Sequence, residues 1–249
     1  VWGNLQIHPT IFLDYSHNGL TSNLDTYRND LRLTSINTGI GIIANYRIKR
    51  FYADLYVTGN YRYFNLNNKD TGIDTDKHRF VVEPHLTLKY DIDGINELRF
   101  NASLSHSNPA IENLYDQYIL TSYRQLSVYE NNELYQSQVQ NYTLSYDYKN
   151  IVSMLFFGID VGWTHNRPDV LYGSYYDGIS ERITSIKTNE TMDVFSAKLR
   201  ASKGFDWKRL KIGAECGYSY YDSPILLQNE IIRYNGNSLN AKLDISLTP

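Results

Sequence analysis

Residues 139–166, VQNYTLSYDYKNIVSMLFFGIDVGWTHN, carry the pattern that decides the fold. Tyr142, Leu144, Tyr146 and Tyr148 share one parity, while Thr143, Ser145 and Asp147 share the other. Strict two-residue alternation places the two sets on opposite faces of a β-strand. Lys149-Asn150 breaks the run and predicts a tight turn. The pattern restarts with Ile151, Leu155, Phe157, Ile159, Val161 and Trp163 on one parity and Gly158, Asp160, Gly162 and Thr164 on the other. The expectation is a long antiparallel hairpin with one apolar face and one largely polar face.

Length gives the hairpin its meaning. Strands of soluble sheets average about 5–6 residues. Ile151 to Trp163 is twelve steps; tilted near 45°, they would rise roughly 28 Å, close to the ~25 Å apolar band of a transmembrane barrel. Tyr146 and Tyr148 near the turn and Trp163 at the far end put amphipathic rings where two water–lipid boundaries would fall.

The same alternation recurs along the chain. In-phase apolar runs begin at Leu5, Ile36, Phe51, Phe80, Leu98, Tyr142, Ile151, Phe195, Leu210 and Leu239, so ten strands are expected. Leu31 and Leu33 lie out of phase with Ile36 to Ile48, which predicts a bulge near Thr34-Ser35. Tight turns are expected at Lys49-Arg50, Asp93-Gly94, Lys149-Asn150 and Asp206-Trp207. Polar stretches at 17–29, 65–77, 107–137, 167–190 and 222–236 are expected to be long connections, with strand extensions around Ile179–Ile186. Short turns at one end and long loops at the other is how outer-membrane barrels sort their connections.

Composition narrows the function classes. The 249 residues carry a formal charge of −3, with no basic stripe to follow phosphates, so nucleic acid is not an expected partner. Tyrosine is abundant, at 23 residues, and the single Cys216 excludes an internal disulfide framework. No run approaches the ~20 apolar residues of a membrane helix, but a barrel shows lipid only every second residue. Val1-Trp2-Gly3 does not read as a native start, so residues 1–249 are expected to be a single β-barrel domain or a barrel segment of a longer protein.

Asn132-Glu133-Leu134, followed by Asn141 to Asn150 in the pattern N-x-x-L-x-Y-x-Y, resembles the barrel of TonB-dependent receptors. Leu155-Phe156-Phe157 after the turn extends the likeness to the Bacteroidota-type outer-membrane barrel. Asn131 and Glu133 stand where that family has Gly and Pro in its GNP loop. The resemblance spans roughly residues 107–221. It implies an energised nutrient importer for a siderophore, vitamin or oligosaccharide, in the bacterial outer membrane. The bilayer would be its partner, with a plug domain and TonB engaged only through the parent protein. Ten strands would be about half of a receptor barrel of 22 strands.

No nucleophile elbow, phosphate-cradling glycine loop or Cys/His metal spacing occurs, so neither an enzyme nor a cofactor is expected. Six scattered histidines and the loop carboxylates Asp70, Asp74 and Asp76 are read as solvated. Asp54, Arg62, Asp147, Asp160, Lys198, Arg200, Glu215 and Asp244 keep to the polar parity, as does Lys89. The candidate ligand surface is aromatic: Tyr115, Tyr118, Tyr123, Tyr129, Tyr172, Tyr175 and Tyr176, whose rings could stack on sugars or aromatic siderophores. Two alternatives stay open: a soluble or surface-exposed all-β carbohydrate-binding module, and a small passive outer-membrane barrel. Leu155→Arg is expected to impair membrane assembly and Ser145→Arg to be mild.

Overall fold

The structure, a computed structural model, describes the chain apart from residues 1–3, 25, 123–124, 131–132, 206–209, 228–229 and 248–249. Its strands are β1 (Asn4–Leu24), β2 (Tyr27–Ile48), β3 (Phe51–Asn68), β4 (Ile73–Asp91), β5 (Asn96–His106), β6 (Ile119–Ser122), β7 (Gln125–Tyr129), β8 (Ser137–Asn150), β9 (Leu155–Pro168), β10 (Val170–Asp177), β11 (Ser180–Lys187), β12 (Met192–Phe205), β13 (Leu210–Leu227) and β14 (Glu230–Leu247). Ten of them build one wall, in the order β1-β2-β3-β4-β5-β8-β9-β12-β13-β14. Every neighbouring pair in this wall is antiparallel. The protein is therefore all-β, and its main sheet runs up and down. β1 and β14 end the sheet and do not pair with each other, so these ten strands form an open sheet and not a self-closing barrel.

Register carries the two faces across the whole wall. Tyr142, Leu144 and Tyr146 lie opposite Trp163, Val161 and Ile159, and these in turn lie opposite Phe195, Ala197 and Leu199. The same face continues through Ile40 and Ile11 at one side and Leu243 at the other. These side chains are bare: Ile11 is 84% exposed and Leu243 67%. Among the described residues no other sheet or helix packs across Leu155, Phe157, Ile159 and Val161.

The limits of the apolar face slant across the strands. Leu86, Ala102, Tyr142, Trp163, Phe195 and Tyr220 form one row of register partners. On β1 and β2 the apolar run continues four rows past this one, to Tyr15 and Ile36, and on β4 three rows, to Phe80. On β14 it stops one row short, at Leu239. That boundary thus shifts by about ten residues over nine strand-to-strand steps, and the opposite one, from Leu5 to Leu247, by about eight. With ~3.3 Å per residue and ~4.8 Å between strands, both slopes correspond to strands tilted by about 31–37° from the normal of the band.

On β8, β9, β12 and β13 the same face turns polar just beyond this row. The next row holds Gln140, His165, Asp193 and Asp222. The Trp163 ring stacks on Tyr142 at 5.4 Å, and its Nε1 donates to Asp193 Oδ1 at 3.0 Å. The ring therefore has an apolar body and a hydrogen-bonded polar edge.

All of the charges expected on the polar parity lie on the opposite face. Arg200 reaches Asp160 at 2.9 Å and Asp147, two strands away, at 3.6 Å. Gly158 makes that reach possible: a Cβ there would lie 3.2 Å from both Arg200 Nη2 and Asp147 Oδ1. Lys198–Glu215 at 2.7 Å and Lys89–Glu97 at 2.8 Å extend the ladder along this face.

Several expectations are corrected. The turn after β8 is residues 151–154 rather than Lys149-Asn150, because Asn150 pairs with Leu155 and its Oδ1 accepts the Ser153 N–H at 2.9 Å. The band on β9 consequently spans Leu155 to Trp163 and not twelve steps. The expected turn at Asp206-Trp207 lies outside the described residues. The stretches 17–29, 65–77 and 222–236 are largely strand, since the hairpins run on to Leu24↔Tyr27, Asn68↔Ile73 and Leu227↔Glu230. Polar residues on both faces hide a strand from any search for apolar alternation. No bulge occurs at Thr34-Ser35: register runs unbroken from Leu31↔Asn68 through Ile36↔Tyr63. Leu31 and Leu33 change parity because the polar face is buried at that height. Ser145 is only 9% exposed, between Arg99 and Asp160, so an arginine there would be costly and not mild.

Candidate functional site

The two long connections, 107–136 and 169–191, fold together into a cap at one end of the wall. Residues 107–136 carry a 3-10 turn (Ile111–Asn113), β6 and β7. Residues 169–191 carry β10 and β11, so the expected extension near Ile179–Ile186 is present. The four strands form a second sheet, β10-β11-β7-β6, in which β11 and β7 are parallel.

An apolar cluster fixes the cap to the polar face of the wall. Leu31, Leu33, Phe64 and Leu66 of β2 and β3 pack with Ile111, Leu114, Tyr115 and Leu134. Burying apolar side chains of this size stabilises the packing by roughly 1.5–3 kcal/mol each. Beneath it lies an ion pair. Arg62 Nη2 donates to Glu83 Oε2 at 2.7 Å, with Asn60 Nδ2 donating to the same oxygen at 2.6 Å. Arg62 Nη1 donates to the His106 carbonyl and Asn108 Oδ1, and the His106 N–H donates to Glu83 Oε1 at 2.7 Å. The pair thus clamps the start of residues 107–136 to β3 and β4.

Glu181 joins the two connections. Its carboxylate, 9% exposed as a residue, accepts hydrogen bonds from Ser174, Tyr176, Gln125 and Ser127 at 2.5–2.9 Å. Burial pushes this carboxyl up, but the four donors outweigh it and hold it below its ordinary value of 4.5. A group with a depressed folded-state pKa contributes stability above its unfolded value and loses it as pH falls through the folded one. Amide protection in β7, β10 and β11, corrected for intrinsic rates, should be constant from pH 7 to about 5 and fall below about 4. Glu181→Gln should remove that acid dependence; an unchanged acid profile in the variant would refute the assignment.

β10 meets the wall where Gly173 lies against Leu226. A Cβ on Gly173 would lie 2.7 Å from Leu226 Cγ and 2.8 Å from its carbonyl oxygen. Gly173→Val should therefore lift β10 from β13 at a cost of about 1–3 kcal/mol, read as faster exchange in 170–177 with β12 unchanged.

The predicted tyrosines separate into groups. Tyr115 is 3% exposed and belongs to the cluster; it meets Tyr129 edge-on at 5.0 Å, and Tyr129 meets Tyr172 edge-on at 5.7 Å. Burial pushes the Tyr115 and Tyr172 hydroxyls up to about 12, so both stay protonated. Tyr118 packs edge-on against Tyr27 and its hydroxyl accepts from Arg182 Nε. Tyr175 and Tyr176 are exposed, Tyr176 with its hydroxyl held by Glu181. Tyr123 lies outside the described residues, as do Asn131 and Asn132. Structure therefore brings Tyr115, Tyr129 and Tyr172 together and leaves the other described tyrosines apart.

Tyr172 also lines a cavity of about 270 Å³ between the two connections, with Asn108, Asn113, Tyr135, Gln136 and Asp169. Gln136 is buried and its Nε2 has no partner among the described residues. Amides, a carboxylate and ring faces converging on a small cavity can exchange hydrogen bonds with hydroxyls and stack on C–H faces. Sequence reasoning found Tyr172 here but missed Asn108, Gln136 and Asp169. No local pattern marks residues that become neighbours only when the two connections meet.

Among the described residues no group of three or more His, Cys, Asp or Glu could hold a metal ion, and no helix is long and apolar enough to cross a membrane. Fold and site together define the class: an all-β protein with an open, ten-stranded antiparallel wall and a small capping sheet. No protein-family model matches the chain, and no curated protein matches it.

Proposed function

We propose that this chain is part of the wall of an outer-membrane β-barrel of the TonB-dependent-receptor kind, bearing the outer loops of a nutrient importer, and that it is not catalytic. The slant of the apolar band carries this reading. A tilt of about 31–37° approaches the 35–45° of transmembrane barrel strands, and eight to twelve steps at that tilt rise about 21–34 Å, which brackets the ~25 Å apolar band. The two oblique boundaries run nearly parallel, and Tyr142, Trp163, Phe195 and Tyr220 stand along one of them, where rings would meet a water–lipid boundary.

The open edges support a segment over a small passive barrel. β1 and β14 present unpaired edges of 21 and 18 residues. Backbone groups in hydrocarbon have to be satisfied within the protein, so additional strands would have to complete the wall. The cap, with its polar and aromatic cavity, would then sit at the mouth on the side of the long connections. A hydroxyl-rich nutrient such as an oligosaccharide or siderophore suits that lining.

Cys216 is a built-in probe, because it is exposed on the apolar face two rows below Tyr220. In proteoliposomes it should resist a membrane-impermeant maleimide and react with a lipophilic one, whereas Ser219→Cys on the polar face should react with both. Efficient labelling of Cys216 by the impermeant reagent in membranes would overturn the proposal.

A further inference from the structure

We propose that a notch in the wall, at the level where the apolar face ends, binds the phosphate headgroup of an anionic membrane lipid. This rests on the membrane reading above. The notch exists because β4 and β5 pair only from His85↔Ser103 to Asp91↔Glu97, while β4 runs on to Ile73. Beyond His85 this edge of β4 has no ladder partner among the described residues. A cavity of about 680 Å³ occupies the gap.

Its lining is amphiphilic in a directional way. Phe80, Val82 and Leu104 come from the apolar face, and Phe80 and Leu104 are the last apolar residues of that face on their strands. Lys77 and Arg79 line it from the polar parity of β4, and Arg167 of β9 and Lys187 of β11 line it from across the gap. Two carboxylates share the lining: Asp169 lies 3.3 Å from Arg79 and Glu133 2.9 Å from Lys187. Lys77 and Arg167 instead donate to neutral oxygens, the Leu134 carbonyl at 2.6 Å and Asn189 Oδ1 at 3.1 Å. Four cations against two carboxylates make a locally positive site in a chain of net charge −3.

A soluble anion would have no use for the apolar floor, and a zwitterionic lipid little use for an excess of cations. The combination selects a molecule with acyl chains along Phe80, Val82 and Leu104 and a phosphate facing the cations. Arginine and lysine at a membrane boundary bind such headgroups through charge-assisted hydrogen bonds.

Native mass spectrometry of the detergent-solubilised protein tests this with dioleoyl phosphatidic acid, dioleoyl phosphatidylcholine and inorganic phosphate as probes. Phosphatidic acid should be retained at least ten-fold over phosphatidylcholine. The double variant Arg167→Gln/Lys187→Gln should lose most of that preference, while Lys242→Gln, on the far side of the wall, should keep it. An unchanged heat-induced gel shift would show that the variants are folded. Equal retention of both lipids, full retention by the double variant, or displacement by millimolar phosphate would each overturn the proposal. Failure of the protein to float with liposomes would remove the membrane reading itself; flotation without lipid preference would remove only this inference.

Discussion

Leu199→Arg is expected to lower the yield of folded, membrane-inserted protein more than any other single change considered. Leu199 lies on the apolar face of β12, opposite Ile159 and Cys216 and two rows below the Trp163 row. Nothing in the wall covers it. An arginine near the middle of a hydrocarbon band costs about 2–4 kcal/mol, roughly a 30- to 900-fold shift in the insertion equilibrium. Asn240→Arg is the matched control, because Asn240 is exposed on the polar face of β14 opposite Gly217. It replaces Ser145, whose burial between Arg99 and Asp160 would confound the comparison. Heat-induced gel shifts and urea midpoints in liposomes report the difference, and equal behaviour of the two variants would refute the face assignment.

The second large effect concerns the cap. Arg62→Met should leave the part-buried Glu83 without its guanidinium, with only Asn60, the His106 N–H and the His106 ring at 3.4 Å beside it, and release the start of residues 107–136 from its clamp on the wall. Removing one member of a buried pair costs about 3–5 kcal/mol, whereas removing both is much milder. Arg62→Met is therefore expected to raise amide exchange in 107–116 and 133–136 by orders of magnitude, leaving β12–β14 unchanged. Arg62→Met combined with Glu83→Gln should recover most of the protection. If the double variant were as loose as the single one, the loss would come from packing and not from the stranded charge.

These two predictions draw on different kinds of information. The face that Leu199 occupies is legible from the sequence, because side-chain alternation is a property of one strand and needs no partner. Turn chemistry is equally local, so Lys49-Arg50 and Asp93-Gly94 end strands as expected. Where locality fails, so does the reading. Residues 17–24 of β1 pair as strand with β2 although neither parity is apolar throughout, and Leu31 and Leu33 mimic a bulge because distant residues cover them. The Arg62–Glu83 clamp and the Glu181 junction link residues 21 and more than 50 positions apart, which no spacing rule connects.

By itself the sequence determined the ten strands of the wall and their two faces, since both follow from the fixed period of an extended chain. Only the tertiary structure decided the stagger of those strands, the unpaired edges and the way two polar connections become one cap. Stagger and docking are set by hydrogen bonds and packing between segments far apart in the chain, whose mutual fit leaves no mark within either segment alone.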